Sequence, residues 1–156
     1  MKTQILTGPE QGQALEVTIS GRIDENFESS TIVKISCKNI ILNLEGISFI
    51  NSCGVRELVF LFNKLKTKTL ILRKVPKIIV DQINMIEGLT GPNIKVENFY
   101  APYLVPSTGK QNDILLTPSE IINGLAPIKV DPISEEELQF DDIDDIYFRF
   151  LTEETA

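Results

Sequence analysis

The sequence contains no histidine and no tryptophan, and only two cysteines, Cys37 and Cys53. Without imidazole there is no Ser-His-Asp triad, no Cys-His dyad and no His-ligated zinc or iron. Two thiols are too few for a four-thiolate zinc site or a disulfide framework. Basic residues are also scarce: 15 Lys+Arg stand against 22 Asp+Glu, a formal charge of -7 over 156 residues. Such a balance disfavours a general binder of nucleic acid or of a membrane surface. Long hydrophobic runs are missing too. The longest wholly apolar stretch, Leu58–Phe62, is five residues, against the ~20 a helix needs to span a bilayer. Met1 to Gly8 is polar, with no apolar segment of the secretory kind, so a cytoplasmic protein with reduced thiols is expected. These absences leave mostly non-enzymatic readings, with no metal and no cofactor expected.

What is present suffices for a packed core. Hydrophobic residues make up 42% and charged residues 24% of the chain, the balance of a globular domain, or of one domain with an appendage. The charge is uneven. Residues 131–156 hold ten acids and a single base, Arg149, whereas residues 1–130 carry 14 bases and 12 acids. An asymmetry of this kind marks a separate tail or module.

Along the first hundred residues strand and helix signals alternate. In Ala14–Ser20, Leu15, Val17 and Ile19 face one way and Glu16, Thr18 and Ser20 the other, the period of a half-exposed strand. Thr3–Leu6 is a candidate partner across the turn-rich residues Gly8 to Gly12. Asn39–Leu44 is β-branched-rich and more continuously apolar, and reads as a central strand; Thr69–Leu72 and Ile94–Phe99 are further strand candidates. Val55, Leu58, Val59, Phe62 and Leu65 lie at helical spacing, with Asn51 or Ser52 as cap and Gly54 allowing close approach. A second helix starts near Pro76, uses Ile79, Ile83 and Ile86, and stops at Gly88. Strand–helix–strand–helix–strand order predicts parallel pairing.

Two segments of this region carry a resemblance. Gly21-Arg22-Ile23-Asp24, and then Gly46-Ile47-Ser48-Phe49-Ile50-Asn51-Ser52-Cys53-Gly54-Val55 after the central strand, resemble the signatures of the STAS domain, the family of the bacterial anti-sigma factor antagonists. Residues 1–100 cover that domain. The resemblance implies a non-catalytic module that docks a protein partner, an anti-sigma factor or similar regulator of kinase character, through its switch loop and the following helix. Asp24, Asn51, Ser52, Cys53, Gly54 and Arg56 are then the candidate partner-binding residues. Phe60 joins them, since at ~100° per residue it stands nearly opposite the apolar stripe. The resemblance also implies a phosphoacceptor hydroxyl at the position of Cys53. A thiol is no substrate for a Ser/Thr kinase, so the usual switch is missing there and Ser52 is the remaining hydroxyl for phosphorylation. The plainer reading makes Ser52 a cap and Cys53 a small packed residue. A thiol at a helix N-terminus also admits a redox reading.

After Phe99 the pattern changes. Tyr100 to Gly109 is turn-rich and aromatic, and Thr117-Pro118-Ser119-Glu120 is a capping box. Phe140, Ile143, Tyr147, Phe150 and Leu151 recur at helical spacing among Asp141, Asp142, Asp144 and Asp145, which predicts an acidic amphipathic helix. Tyr103-Leu104-Val105-Pro106-Ser107-Thr108-Gly109-Lys110 resembles the opening of a small zinc ribbon, with Val105 and Thr108 where cysteines would stand and Val130 and Ile133 as the second pair. No ligands remain, so such a module must hold itself by apolar packing, through Ile121, Ile122, Phe140, Tyr147 and Phe150. A basic cluster, Lys64, Lys66, Lys68, Arg73, Lys74 and Lys77, is a candidate receiver for the acidic tail.

The fold expected is α/β: a STAS-like mixed sheet with helices over 1–100, then a small β-rich or irregular module over 101–156 that ends in the acidic helix. The alternatives are a scaffold or assembly subunit acting through the C-terminal module, with a homodimer among its forms, and a thiol-redox or acid–base enzyme using Cys53 or Asp24.

Overall fold

The computed structural model describes residues 3–11 and 14–153, with side chains detailed for 3–7 and 14–151. Strands β1 (Gln4–Gln11) and β2 (Ala14–Ile23) form an antiparallel pair with a register shift between Thr7 and Glu10. The turn expected over Gly8 to Gly12 is not found over 8–11, where the strand continues to Gln11; residues 12 and 13 lie outside the described residues. Strands β3 (Asn39–Asn43), β4 (Ile47–Ile50), β5 (Thr69–Arg73) and β6 (Ile94–Val96) complete a mixed sheet of order β1-β2-β3-β5-β6. From β2 onward its neighbours run parallel, and β4 pairs in parallel with the end of β2. The alternation read in β2 is kept, with Val17 and Ile19 fully buried and Glu16, Thr18 and Ser20 half-buried.

Helix α1 (Ser30–Val33) is a single turn, whereas α2 (Ser52–Lys64) and α3 (Lys77–Met85) bury Leu58, Leu61 and Phe62, and Ile79, Val80 and Ile83. Pro76 flanks α3 as its N-cap and does not enter the first turn. Apolar burial at ~25 cal/mol per Å² is what holds such helices on a sheet.

The chain then enters a second, three-stranded antiparallel sheet: β7 (Phe99–Leu104) at the centre, β8 (Gln111–Leu116) on one side and β9 (Gln139–Phe140) on the other. The aromatic segment expected as turns is therefore a strand up to Leu104, and it crosses the expected boundary at 100/101. Pro102 sits inside it, although proline is normally kept out of central strands. The tolerance has a local cause: its carbonyl accepts from Asp141 N–H at 2.9 Å, beyond the last residue of β9. The missing N–H points to the side where the ladder has already ended.

The single acidic helix expected over Phe140 to Leu151 is broken into β9, α4 (Asp144–Tyr147) and α5 (Arg149–Glu153). Asn84 on α3 explains the break: its side chain donates to Tyr147 O and accepts from Phe150 N–H, both at 2.9 Å. Tyr147, Phe148 and Phe150 are buried, with Phe150 edge-on to Phe99 at 5.1 Å and Phe148 stacked on Phe140 at 5.2 Å. Phe148 is an anchor that helical spacing did not select. Ile122, expected to dock, is instead exposed, and so is Ile143 of the expected helical spacing. One hydrophobic cluster runs from Val17 through Phe150 and joins both sheets.

Two turns of this region are built alike. In 105–110, Val105 N–H donates to Lys110 O, Gly109 N–H donates to Val105 O, and Gly109 has φ +69°. In 131–136, Asp131 N–H donates to Glu136 O, Glu135 N–H donates to Asp131 O, and Glu135 has φ +60°. Position by position Val105 matches Asp131 and Thr108 matches Ser134, one residue later than the pair Val130 and Ile133 taken from the sequence. The turns touch through Ser107 Oγ, which donates to Glu136 Oε2 at 2.7 Å. Asp131 Oδ2 accepts from the Ser134 hydroxyl at 2.6 Å and from its N–H at 3.0 Å, and these bonds hold the Asp131 carboxyl below its ordinary pKa.

Among the described residues no helix is long and apolar enough to cross a membrane.

Candidate functional site

The candidate site begins where β2 ends. Asp24 closes a turn: its Oδ1 accepts from Asn26 N–H at 3.0 Å and its carbonyl from Phe27 N–H at 3.0 Å. Arg22 pairs with Asp24 at 3.5 Å while its guanidinium lies 3.8 Å above the centre of the Phe49 ring. Asp24 therefore shapes the turn from which the loop before α2 is hung.

Asn51 is the cap of α2, and Ser52 is not. Its Oδ1 accepts from Gly54 N–H at 2.9 Å, its side-chain amide donates to Glu25 at 3.1 Å, and its own N–H donates to Ile23 O at 3.2 Å. An asparagine in this place satisfies one of the orphan donors of the first turn. Gly54 is the closest approach of the two segments. A Cβ built there would lie 2.0 Å from Ile23 O, a backbone atom that cannot swing aside. The first turn of α2 is thus pressed against the end of β2, and Ser52 is left pointing outward, exposed. Cys53, half-buried, carries a free thiol.

On one side of α2 an open groove of about 560 Å³ is lined by Ile50, Asn51, Ser52, Val55, Arg56 and Val59, and by Gln82, Ile86 and Glu87 from the end of α3. It is mainly apolar along its floor and carries Arg56 and Glu87 as opposite charges. The end of α3 is folded back here by Gly88 (φ +99°), where a Cβ would come within 2.9 Å of Val59. Phe60 does not join this groove. It lies on the other side of α2, about half exposed, in a depression of about 510 Å³ with Phe27, Val33 and Lys64, whose ammonium stands 5.3 Å from the ring. Asn51, Ser52 and Arg56 are therefore brought to one groove, Gly54 and Cys53 to the turn that forms its end, Asp24 to its support, and Phe60 to a separate surface. Gln82, Ile86 and Glu87 were missed by sequence reasoning. Nothing in their local pattern marks them, because the packing of α3 beside α2 alone brings them there.

The basic cluster dissolves in the structure. Arg73 bonds Glu97 and lies 3.0 Å from Glu16, and the Glu97 carboxyl is held below its ordinary pKa by that guanidinium. Lys74 pairs with Glu45 at 3.3 Å, and Lys68 donates to the carbonyls of Ile35 and Cys37. Among the described residues Lys77 is the member of the cluster that pairs with the tail, 3.6 Å from Asp142, and it also lies 2.8 Å from Asp81. Apolar packing, with Asn84, holds the tail in place.

Among the described residues no three of His, Cys, Asp and Glu stand close enough to hold a metal ion. No protein-family model matches the chain, and neither does any curated protein.

Proposed function

We propose that the chain is a cytoplasmic, non-catalytic regulatory module of the STAS, anti-sigma factor antagonist type, and that it docks a regulator of kinase character in the groove between α2 and α3. The observation that carries this reading is the combination at one place of an outward Ser52, an exposed Arg56 and an apolar floor beside a helix start held rigidly by Asn51 and Gly54. A rigid loop lowers the ordering cost of association, and an apolar centre rimmed by a few charges is the usual anatomy of a recognition surface. The mixed sheet and the order of helices are compatible with the STAS resemblance of residues 21–24 and 46–55. With a thiol at Cys53 the partner is held without the usual phosphate switch, and occupancy of the partner releases whatever it otherwise restrains.

The full chain and its Arg56→Glu form, immobilised side by side in extract of the source cell, test this. The reading expects an ATP-binding regulator on the first and its loss from the second. Equal retention by both, or only proteins without nucleotide-binding capacity, would overturn it.

The C-terminal sheet is, on the same reading, a ribbon whose metal ligands have been replaced. The matched turns at 105–110 and 131–136, with Val105, Thr108, Asp131 and Ser134 in corresponding positions, support it.

A further inference from the structure

The turn after the 3₁₀ segment Pro118–Glu120 leaves apolar side chains in solvent. Asn123 and Gly124 both have positive φ, +56° and +72°, and Ile122 and Leu125 form a bridge pair across them. A two-residue turn of this shape sets its flanking side chains on one face. Both are exposed, at 69% and 57%. The next N–H, that of Ala126, donates to Asp144 Oδ1 at 2.8 Å, which fastens this face to the start of α4. There Ile143 and Ile146, three residues apart and so on one side of the turn, are exposed at 61% and 46%. Four aliphatic side chains on two segments fastened to one another are thus left without cover, with Ile128, Val130 and Ile133 of the connecting chain exposed as well. Exposed large apolar side chains gathered on adjoining segments, in contrast to single ones scattered over a surface, mark an interaction site.

The surroundings decide what covers it. Between Thr117 and Tyr147 there are nine acids and one base, Lys129. That base is already held by Glu120 at 2.7 Å. Asp145, between the two isoleucines of α4, is exposed. A second copy laid on the same patch would set acids against acids. An anionic lipid surface meets the same repulsion.

We propose that Ile122, Leu125, Ile143 and Ile146 form a second docking surface, for a cationic amphipathic peptide segment of a partner protein. Its apolar side chains cover the aliphatic patch and its Lys or Arg residues face Asp145 and the neighbouring acids. The surface is separate from the α2–α3 groove and does not rest on the function proposed for it.

The experiment uses the full chain, isotope-labelled for amide NMR, and two peptides of about 14 residues with identical leucine positions, their polar positions all Lys in one and all Glu in the other. The lysine peptide is expected to shift the amides of 122–125 and 143–146, and to bind ~10-fold more weakly at about 500 mM salt than at about 50 mM. I122S/I143S, altered only at exposed positions, is expected to remove the shifts, and Asp145→Lys to weaken binding by ~3-fold. Equal binding of the glutamate peptide, binding of neither, or shifts confined to the α2–α3 groove overturns the proposal. So does self-association, or capture by anionic vesicles, that I122S/I143S abolishes.

Discussion

Of the eleven large apolar side chains exposed among the described residues, three lie before residue 99 and eight after it. The two regions differ in how many layers they have. Before residue 99 a mostly parallel sheet is covered by α2 and α3, and their apolar stripes find a surface to meet. From Phe99 onward, among the described residues, a sheet of three strands has α3 and two short helical turns beside it, and the segment 121–133 forms no helix or strand. Residue type divides there accordingly. Phe99, Tyr103, Tyr147, Phe148 and Phe150 are buried, and among the aliphatics between them Leu116 and Leu138 are buried whereas Leu115, Ile122, Leu125, Ile128, Ile133, Ile143 and Ile146 face solvent. Aromatic rings supply the largest burial per residue, so a few of them anchor a thin region while many of its aliphatics stay outside. Burial also pushes the Tyr103 hydroxyl up to about 12, and raises that of Tyr147 further.

The largest change to this contrast is expected from V105C/T108C/D131C/S134C. Four thiols on two matched turns form a tetrahedral zinc site worth ~10 kcal/mol or more in small modules. Stoichiometric zinc in metal analysis and a higher thermal midpoint are expected; a zinc-free protein would mean the turns do not face one another. Next, Phe150→Ala removes the ring packed on Phe99 and is expected to cost ~3–5 kcal/mol in urea unfolding. Hydrogen exchange should accelerate first in β7 and β8, and acceleration in β3 and β5 to the same extent would show that the two regions are energetically one. In the other region Gly54→Ala forces a Cβ against Ile23 O, with an expected cost of about 3 kcal/mol from overpacking. Asn51→Ala, which removes the cap without touching the contact, is expected to cost ~1 kcal/mol by the same measurement. Smallest is I122S/I143S, expected to change stability by no more than ~0.5 kcal/mol, since neither side chain leaves a core. A loss several times larger would mean that these aliphatics are covered in the protein itself.

Much of the sheet was legible because its period is strict. Val17 and Ile19 alternate with polar neighbours, and β3 and β5 are short β-branched runs between turn signals; both patterns follow from side chains pointing to opposite faces. Gly54 was legible as a point of close approach, and the structure adds that Ile23 O is what it approaches. Asn51 and Ser52 were not separable as caps, because either side chain reaches the first turn; the bond to Gly54 N–H and the support from Glu25 choose Asn51. Phe60 was grouped with the loop because angle around a helix says what is exposed but not which neighbour stands beside it.

The C-terminal region shows the limit most clearly. Helical spacing from Phe140 to Leu151 predicted one helix, and the acids among the aromatics agreed with it. The sequence by itself determined that these rings would be buried and the acids left in water, since burial of an unpaired charge is far more costly than exposure of one. It also determined the absence of imidazole and the small number of thiols, which are facts of composition. Only the tertiary structure decided the break at Phe148, the docking on α3 through Asn84, and the exposure of Ile122 and Ile143. Each depends on partners distant in sequence, and a local period carries no record of which surface an apolar residue will meet or whether any surface is left for it.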